Sequence, residues 1–256
     1  FFTDKTVEVI PAHTFEEVVQ QVTQAEKSDT GLMAIENTLA GSLMANYHLL
    51  HNNDLRITGE VYLRIKQNLM ALPGTRIEDL KEVYSHPIAI AQVRRFFRDY
   101  PNIRLIEAAD TALSARHVQE TQDPTRGAIA SELAAEMYGL EILAPSIETN
   151  KLNHTRFLVL DRGQYAGKDK GNKVSLSFCV SHEAGSLYRV LAVLGAYQIN
   201  LTKIQSTPII GQPWQYRFFV DFVAEGEVGW QQAMEGIRPI TQDLRVLGVY
   251  EQGEKP

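Results

Sequence analysis

Asn153-His154-Thr155-Arg156-Phe157 sets a hydroxyl beside a guanidinium where an apolar run, Leu158-Val159-Leu160, begins. A hydroxyl can deliver a proton to a departing group, and a planar guanidinium can hold a carboxylate through two parallel bonds, which an ammonium cannot. Taken alone, Thr-Arg-Phe also fits a strand-start threonine followed by a surface arginine. In a regular strand, neighbouring side chains point to opposite faces. Thr155 and Arg156 can therefore share one pocket only if the strand start at 153–155 is irregular, which is the expectation, or if Arg156 reaches around an end; a regular strand with Arg156 buried away from the cleft makes its role structural.

Composition narrows the chemistry. The 256 residues are 44% hydrophobic, enough for one large core or two smaller ones, and two are expected. A net charge of −6 argues against a general nucleic-acid binder, so an anionic ligand has to find a local basic pocket. No apolar run approaches the roughly 20 residues that cross a bilayer, and the opening Phe1-Phe2-Thr3-Asp4 has no signal-peptide pattern. The single Cys179 excludes an internal disulfide framework. These features predict a cytoplasmic protein with no membrane partner. Zinc-type Cys/His spacing, a Gly-rich phosphate loop and a Gly-x-Ser-x-Gly elbow are all missing from the sequence, so neither metal nor cofactor is expected.

The elements that must position these residues follow from periodicity. Between Val7 and Leu160, short apolar runs alternate with amphipathic stretches, predicting an α/β fold over a largely parallel sheet. Phe15, Val18, Val19 and Val22 make a helical stripe behind a capping box of Thr14 and Glu17. Leu32 to Ile35 reads as a buried strand, and 36–42 as a polar turn into the next helix; Asn37 and Thr38 lie in that turn, and Glu36 reads equally as a helix cap. A second strand-turn-helix unit runs from Glu82 through Ser85-His86-Pro87 to Phe97, where His86 reads equally as a turn residue. Strands are expected at 103–106, 127–130 and 140–143, and helices at 111–120 and 131–138. Such turns, at the ends of strands, are where open α/β sheets hold ligands.

Periodicity breaks at 161–172, where three glycines and several charges mark a linker. Beyond it Val174, Leu176, Phe178 and Val180 alternate with polar residues, as in a strand with one apolar face. A stripe at Leu187, Val190, Leu191 and Leu194, strands at 199–204, 216–223 and 244–250, and a helix at 230–237 complete a β-α-β-β-α-β order, the ferredoxin-like unit.

Four segments in this order, Gly31 to Gly41, Ser85 to Gln92, Asn153 to Phe157 and the region from Lys173 onward, resemble prephenate dehydratase with a C-terminal ACT regulatory domain. The resemblance implies a two-lobed, type II periplasmic-binding-protein-like catalytic region over 1–160. One lobe would comprise about 1–73 and 145–160, the other about 74–144, with the active site between them, and the ACT domain would cover 173–256. It also implies an N-terminal strand and helix that this sequence does not show. The implied reaction is cofactor-free loss of carbon dioxide and hydroxide from prephenate, giving phenylpyruvate for phenylalanine synthesis, with Thr155 as general acid. Asn37, Thr38, Ser85, His86, Asn153, Arg156 and Phe157 would bind substrate. Ile88 stands where the family often has Gln, and Gln92 is the candidate to replace that amide.

In the family, phenylalanine binds between two ACT domains. The matching positions are Gly185, Ser186, Leu187, Gln205 and Ser206, with Asn200 available to an amino group. The family's Glu and Arg are replaced here by Gln205 and Thr207, so a dimerisation module without effector stays open. The resemblance implies a homodimer through this domain, pairing into a tetramer being undetermined. Alternatives are arogenate as substrate and a non-catalytic, amino-acid-sensing binding protein.

Overall fold

The computed structural model describes residues 7–24, 28–164, 166–167, 170–224 and 229–254. The opening Phe1-Phe2-Thr3-Asp4, and Tyr165, Lys168 and Asp169 of the expected linker, lie outside them. In chain order the elements are α1 (Phe15–Thr23), β1 (Thr30–Asn37), β2 (Gly41–Ser42), α2 (Met44–Asn52), β3 (Leu55–Arg64), β4 (Asn68–Ala71), β5 (Glu82–Ser85), α3 (Pro87–Val93), β6 (Arg104–Glu107), α4 (Thr111–Thr121), β7 (Arg126–Ala130), α5 (Glu132–Tyr138), β8 (Glu141–Ala144), β9 (His154–Arg162), β10 (Lys173–Cys179), α6 (Ser186–Ala196), β11 (Asn200–Pro208), β12 (Tyr216–Val223), α7 (Trp230–Ile237) and β13 (Gln242–Tyr250).

These elements form two compact units. One holds 1–37, 41–62 and 156–256, the other 38–40 and 63–155. The expected lobe boundaries near 73/74 and 144/145 thus differ from the observed crossings near 62/63 and 155/156. Sheet pairing explains the difference: β4 hydrogen-bonds to β7 and β8, which draws 63–73 into the second unit.

The first unit is built on an eight-stranded sheet in the order β11-β12-β10-β13-β3-β9-β1-β2. Its C-terminal β10-α6-β11-β12-α7-β13 region has the expected ferredoxin-like order, with β10 central between β12 and β13. It does not stand apart from the strands that precede it. β13 runs parallel to β3 with Gly248 opposite Ile57, so one sheet joins the region to the chain before the linker. That contact explains a second departure. All seven residues of β10 are buried, although the alternation predicts one apolar and one polar face. The apolar face packs with α6 and α7 around Val174, Leu176, Phe178, Val190, Phe222 and Ile237. The polar face is covered from the other side, where Tyr47 of α2 meets Phe219 at a ring distance of 4.8 Å.

The second unit carries the sheet β6-β5-β7-β4-β8. It is mixed: β5 is parallel to β6 and β7, but β4 is antiparallel to β7 and β8. Within this sheet the parallel arrangement expected from sequence holds around β5 and gives way to antiparallel pairing at β4. Two apolar clusters fill the unit, one centred on Leu69, Val83, Val93 and Ile129 and one on Met70, Ala115, Val118 and Ala135.

Local signals are mostly realised. The Thr14 side chain accepts from the Glu17 amide at the start of α1, but the Glu17 carboxylate reaches back one residue further than a capping box, to the His13 amide at 2.7 Å. The expected turn at 36–42 is a hairpin: β2 pairs antiparallel with β1, Asn37 opposite Gly41, and Gly41 takes φ +81°, a left-handed value open to glycine. Glu36 is not a helix cap; it lies in β1 and pairs with Lys203 at 2.8 Å.

Candidate active site

Within the second unit, one cluster of polar groups gathers at the segment that precedes β9. Asn153 is fully buried, and its side-chain amide donates to Gln92 Oε1 at 2.9 Å. Gln67 Nε2 donates to the same oxygen at 3.1 Å, so Gln92 ties α3 to both the β3–β4 connection and the β9 start. The Gln67 amide is in turn held by the buried carboxylate of Glu148 at 2.9 Å. The Asn153 carbonyl accepts from the Ile65 amide at 2.8 Å. Burying these amides without partners would cost a few kcal/mol, and their mutual pairing removes that cost.

Thr38 closes the other side of the segment. Its amide donates to the His154 carbonyl at 2.9 Å, its hydroxyl donates to the Leu152 carbonyl at 2.9 Å, and the same oxygen accepts from the His154 amide at 3.0 Å. The hydroxyl proton thus goes to a backbone carbonyl. Ser85 is placed likewise. It is fully buried at the end of β5, and its hydroxyl donates to the Ile129 carbonyl at 2.7 Å. His86 is the N-cap of α3, with Nδ1 accepting from the Ile88 amide at 3.3 Å.

Thr155 and Arg156 are both strand residues of β9 and both buried. The irregular start expected at 153–155 is confined to Asn153, since the strand begins at His154. Consecutive buried positions then occupy opposite faces. Arg156, in the first unit, points into a cluster of charges. Its Nε donates to Glu60 Oε2 at 2.7 Å, Nη1 to Asp221 Oδ2 at 2.5 Å and Nη2 to the Tyr250 hydroxyl at 3.0 Å. The guanidinium expected to hold a substrate carboxylate already holds two protein carboxylates, so its position is structural.

That cluster was not visible in the sequence. Lys173 Nζ donates to both oxygens of Glu60 at 2.8 Å, the Gly253 amide adds a third bond, and Ser175 donates to Asp221 Oδ1 at 2.6 Å. With Ser175 donating to Asp221, its 2.7 Å contact with Tyr250 is a bond from the tyrosine. None of Glu60, Arg156, Lys173 and Asp221 is more than 6% exposed, and two cations balance two anions. Burial acts to lower the Arg156 pKa, but Asp221, Tyr250 and Glu60 outweigh it and hold the group above its ordinary value. Burial and the Arg156 charge lower the Lys173 pKa against the pull of Glu60. The Tyr250 hydroxyl is pushed well up by burial and then by Asp221. The only signal for the cluster in the sequence is polar residues at alternate positions of β10, which reads equally as a solvated face.

At the expected effector positions, Gly185 caps α6 with φ +77°, and Ser186 is buried with its hydroxyl donating to the Glu183 carbonyl at 2.8 Å. Leu187 packs against the α6–α7 core. Asn200 begins β11, and Gln205 Nε2 donates to the Ser206 carbonyl at 3.0 Å.

The profile of the family described as prephenate dehydratase matches residues 1–165. The chain belongs to this family. Among curated relatives, it is 33% identical over 239 residues to a bifunctional chorismate mutase/prephenate dehydratase of Buchnera aphidicola subsp. Acyrthosiphon pisum (strain APS), covering 93% of this chain and 62% of that protein. To arogenate dehydratase 2 of Petunia hybrida it is 37% identical over 261 residues, covering 95% of this chain and 65% of the other. The chain thus spans less than two thirds of the length of these relatives. Among solved structures, a protein described as GqqA, a novel type of quorum quenching acylase, shares a TM-score of 0.85 at 30% identity, covering 94% of this chain and 88% of that one. Prephenate dehydratase from Arthrobacter aurescens in complex with L-Phe gives a TM-score of 0.82 at 28% identity, with 94% and 80% coverage. These likenesses agree with the α/β architecture of the prephenate dehydratase family. No helix among the described residues is long and apolar enough to cross a membrane.

Proposed function

We propose that the protein is a cofactor-independent prephenate dehydratase of phenylalanine biosynthesis, with Thr155 as general acid. The observation that carries this reading is Thr155 itself: a buried hydroxyl two residues beyond Asn153, in a segment tied down by Thr38 and Gln92 and in a chain of this family. The bond from the ring to its carboxylate breaks, its electrons aromatise the ring, and the ring C–OH bond breaks as Thr155 supplies the proton. Prephenate dianion and one proton thereby give phenylpyruvate, carbon dioxide and water, and solvent reprotonates the threonine. A donated proton of this kind is worth about 10²–10⁴-fold. Asn37, Thr38, Ser85, His86, Gln92, Asn153 and Phe157 are the candidate substrate contacts, with Asn153 also holding Gln92.

The C-terminal β-α-β-β-α-β region is read as an ACT domain that binds L-phenylalanine near Gly185, Ser186, Leu187, Asn200, Gln205 and Ser206, and that pairs two copies in a cytoplasmic homodimer. Support comes from its strand order and from the relative solved with L-Phe. Arogenate is a second reading, favoured by 37% and 38% identity to plant proteins named for arogenate dehydratase activity.

Purified protein given prephenate or arogenate in parallel should form phenylpyruvate from the first or phenylalanine from the second. Thr155→Ala should lower kcat by at least about 10² while the folded signal persists. Formation of neither product would leave the binding-protein reading; undiminished turnover by Thr155→Ala would reject the threonine as acid. A phenylalanine titration flat to millimolar levels would remove the feedback role.

A further inference from the structure

We propose that Arg156 is a positioning residue, through which Glu60, Asp221 and the ferredoxin-like region fix the strand register that presents Thr155. The inference rests on the reading of Thr155 as the acid, but its geometry does not. Arg156 is adjacent to Thr155 in β9, and strand alternation makes the two faces complementary: whatever holds Arg156 inward on one face holds Thr155 on the other. The guanidinium is gripped from two directions, by Glu60 of β3 and by Asp221 of β12. A lysine could satisfy one of these but lacks the planar fork that reaches both.

Three features distinguish the cluster from generic core. Four charges are buried where well-packed apolar side chains would be as stable or more so, so the cluster is not explained by stability alone. Every carboxylate oxygen in it accepts at least one bond, and Glu60 and Asp221 are spoken for on both oxygens. Its members come from β3, β9, β10, β12 and β13, so it spans the sheet from the strand bearing Thr155 to the strands following the linker. The chain also leaves the first unit near Tyr62 and returns at Arg156, and both crossings carry a cluster member or neighbour: Glu60 two residues before one, Arg156 at the other.

The test compares wild type with Asp221→Asn, Arg156→Lys and Ser175→Ala, all assayed well below their melting temperatures and normalised to folded protein. Ser175→Ala keeps all four charges and serves if Asp221→Asn does not fold. Asp221→Asn and Arg156→Lys should each lower kcat by about tenfold or more with KM within twofold, as expected of a misplaced reacting group. Ser175→Ala should show the same pattern, weaker. Backbone amide exchange over 153–157 should accelerate in the same variants, while 126–130 in β7 exchanges as in wild type. A raised KM with unchanged kcat in Arg156→Lys, together with a kinetically silent Asp221→Asn, would make Arg156 a substrate anchor and overturn the proposal. Unchanged exchange at 153–157 in the variants would overturn it too. A wild type that transforms neither prephenate nor arogenate would sink the functional reading alone, since the exchange measurement still decides the positioning role.

Discussion

At the scale of single residues, two hydroxyls of the site are held by the protein's own backbone. Thr38 and Ser85 offer hydroxyls in the sequence, but each donates to a backbone carbonyl in the fold, Leu152 and Ile129 respectively. Sequence names the residue type and not the acceptor, so these backbone partners could not be read from it. For Thr38 the consequence is measurable. Thr38→Ser keeps both side-chain bonds to 152–154, whereas Thr38→Val removes them and should cost about 1 kcal/mol in a urea titration, with a larger loss in kcat than in stability. Equal kinetics for the two variants would show that the clamp does not matter for turnover. Arg156 is the sharper case. Arg156→Met leaves Glu60 and Asp221 buried with Lys173 as their remaining close cation, and should cost about 3–5 kcal/mol. A loss below about 0.5 kcal/mol, the range of a surface substitution, would contradict the buried geometry.

At the scale of elements, the helices were legible because each carries its own signals. Phe15, Val18, Val19 and Val22 place α1, and Ser131 caps α5 as its hydroxyl accepts from the Ala134 amide. β3 and β4 were not legible. In β3 the charged Arg56 and Glu60 interrupt the apolar pattern, and Glu60 is buried only because Arg156 and Lys173, about a hundred residues away, neutralise it. β4 is four residues, all buried, too short for a period to show. The same long-range pairing turned the polar side of β10 inward. Gly248 marks where β13 meets β3: a Cβ there would stand 2.1 Å from the Ile57 carbonyl oxygen. No rotamer relieves a clash with backbone, so Gly248→Ala must part the two strands. An expected loss of about 2–4 kcal/mol follows from overpacking plus weakened pairing. Thermal melting checks it, and a melting temperature within a degree of wild type would mean that the two strands need not touch.

At the scale of the whole molecule, the contact between the ferredoxin-like region and α2 carries a titratable group that ties stability to pH. His51 of α2 is faced by Asp243, Arg217 and Arg245, with His48 on its own helix and Ser177 within 3.5 Å of Nδ1. Burial, then the charges of Arg217 and Arg245, depress its pKa to about 4. Asp243 cannot reverse this because it is shared: its carboxylate also takes Arg217 and Arg245, each at 2.8 Å. It reaches all three from a left-handed backbone at φ +48°, where β13 bulges against β10 between Gln242 and Arg245. A histidine whose pKa is lower folded than unfolded contributes no penalty above its ordinary value near 6.5. Below it the unfolded chain binds a proton that the folded chain refuses, so stability falls as pH drops from about 6.5 to about 4, by at most about 1.4 kcal/mol per pH unit. The Asp243 pKa is raised by burial but lowered more by bonds from Arg245 and Arg217, so its own contribution is lost only at still lower pH, below the ordinary carboxylate range. The two windows can therefore be separated. His51→Gln, which cannot titrate, should flatten the stability profile between pH 6.5 and 4 and leave the steeper fall below it. If urea midpoints of wild type and His51→Gln decline in parallel across that interval, the histidine is not what makes this contact sensitive to acid.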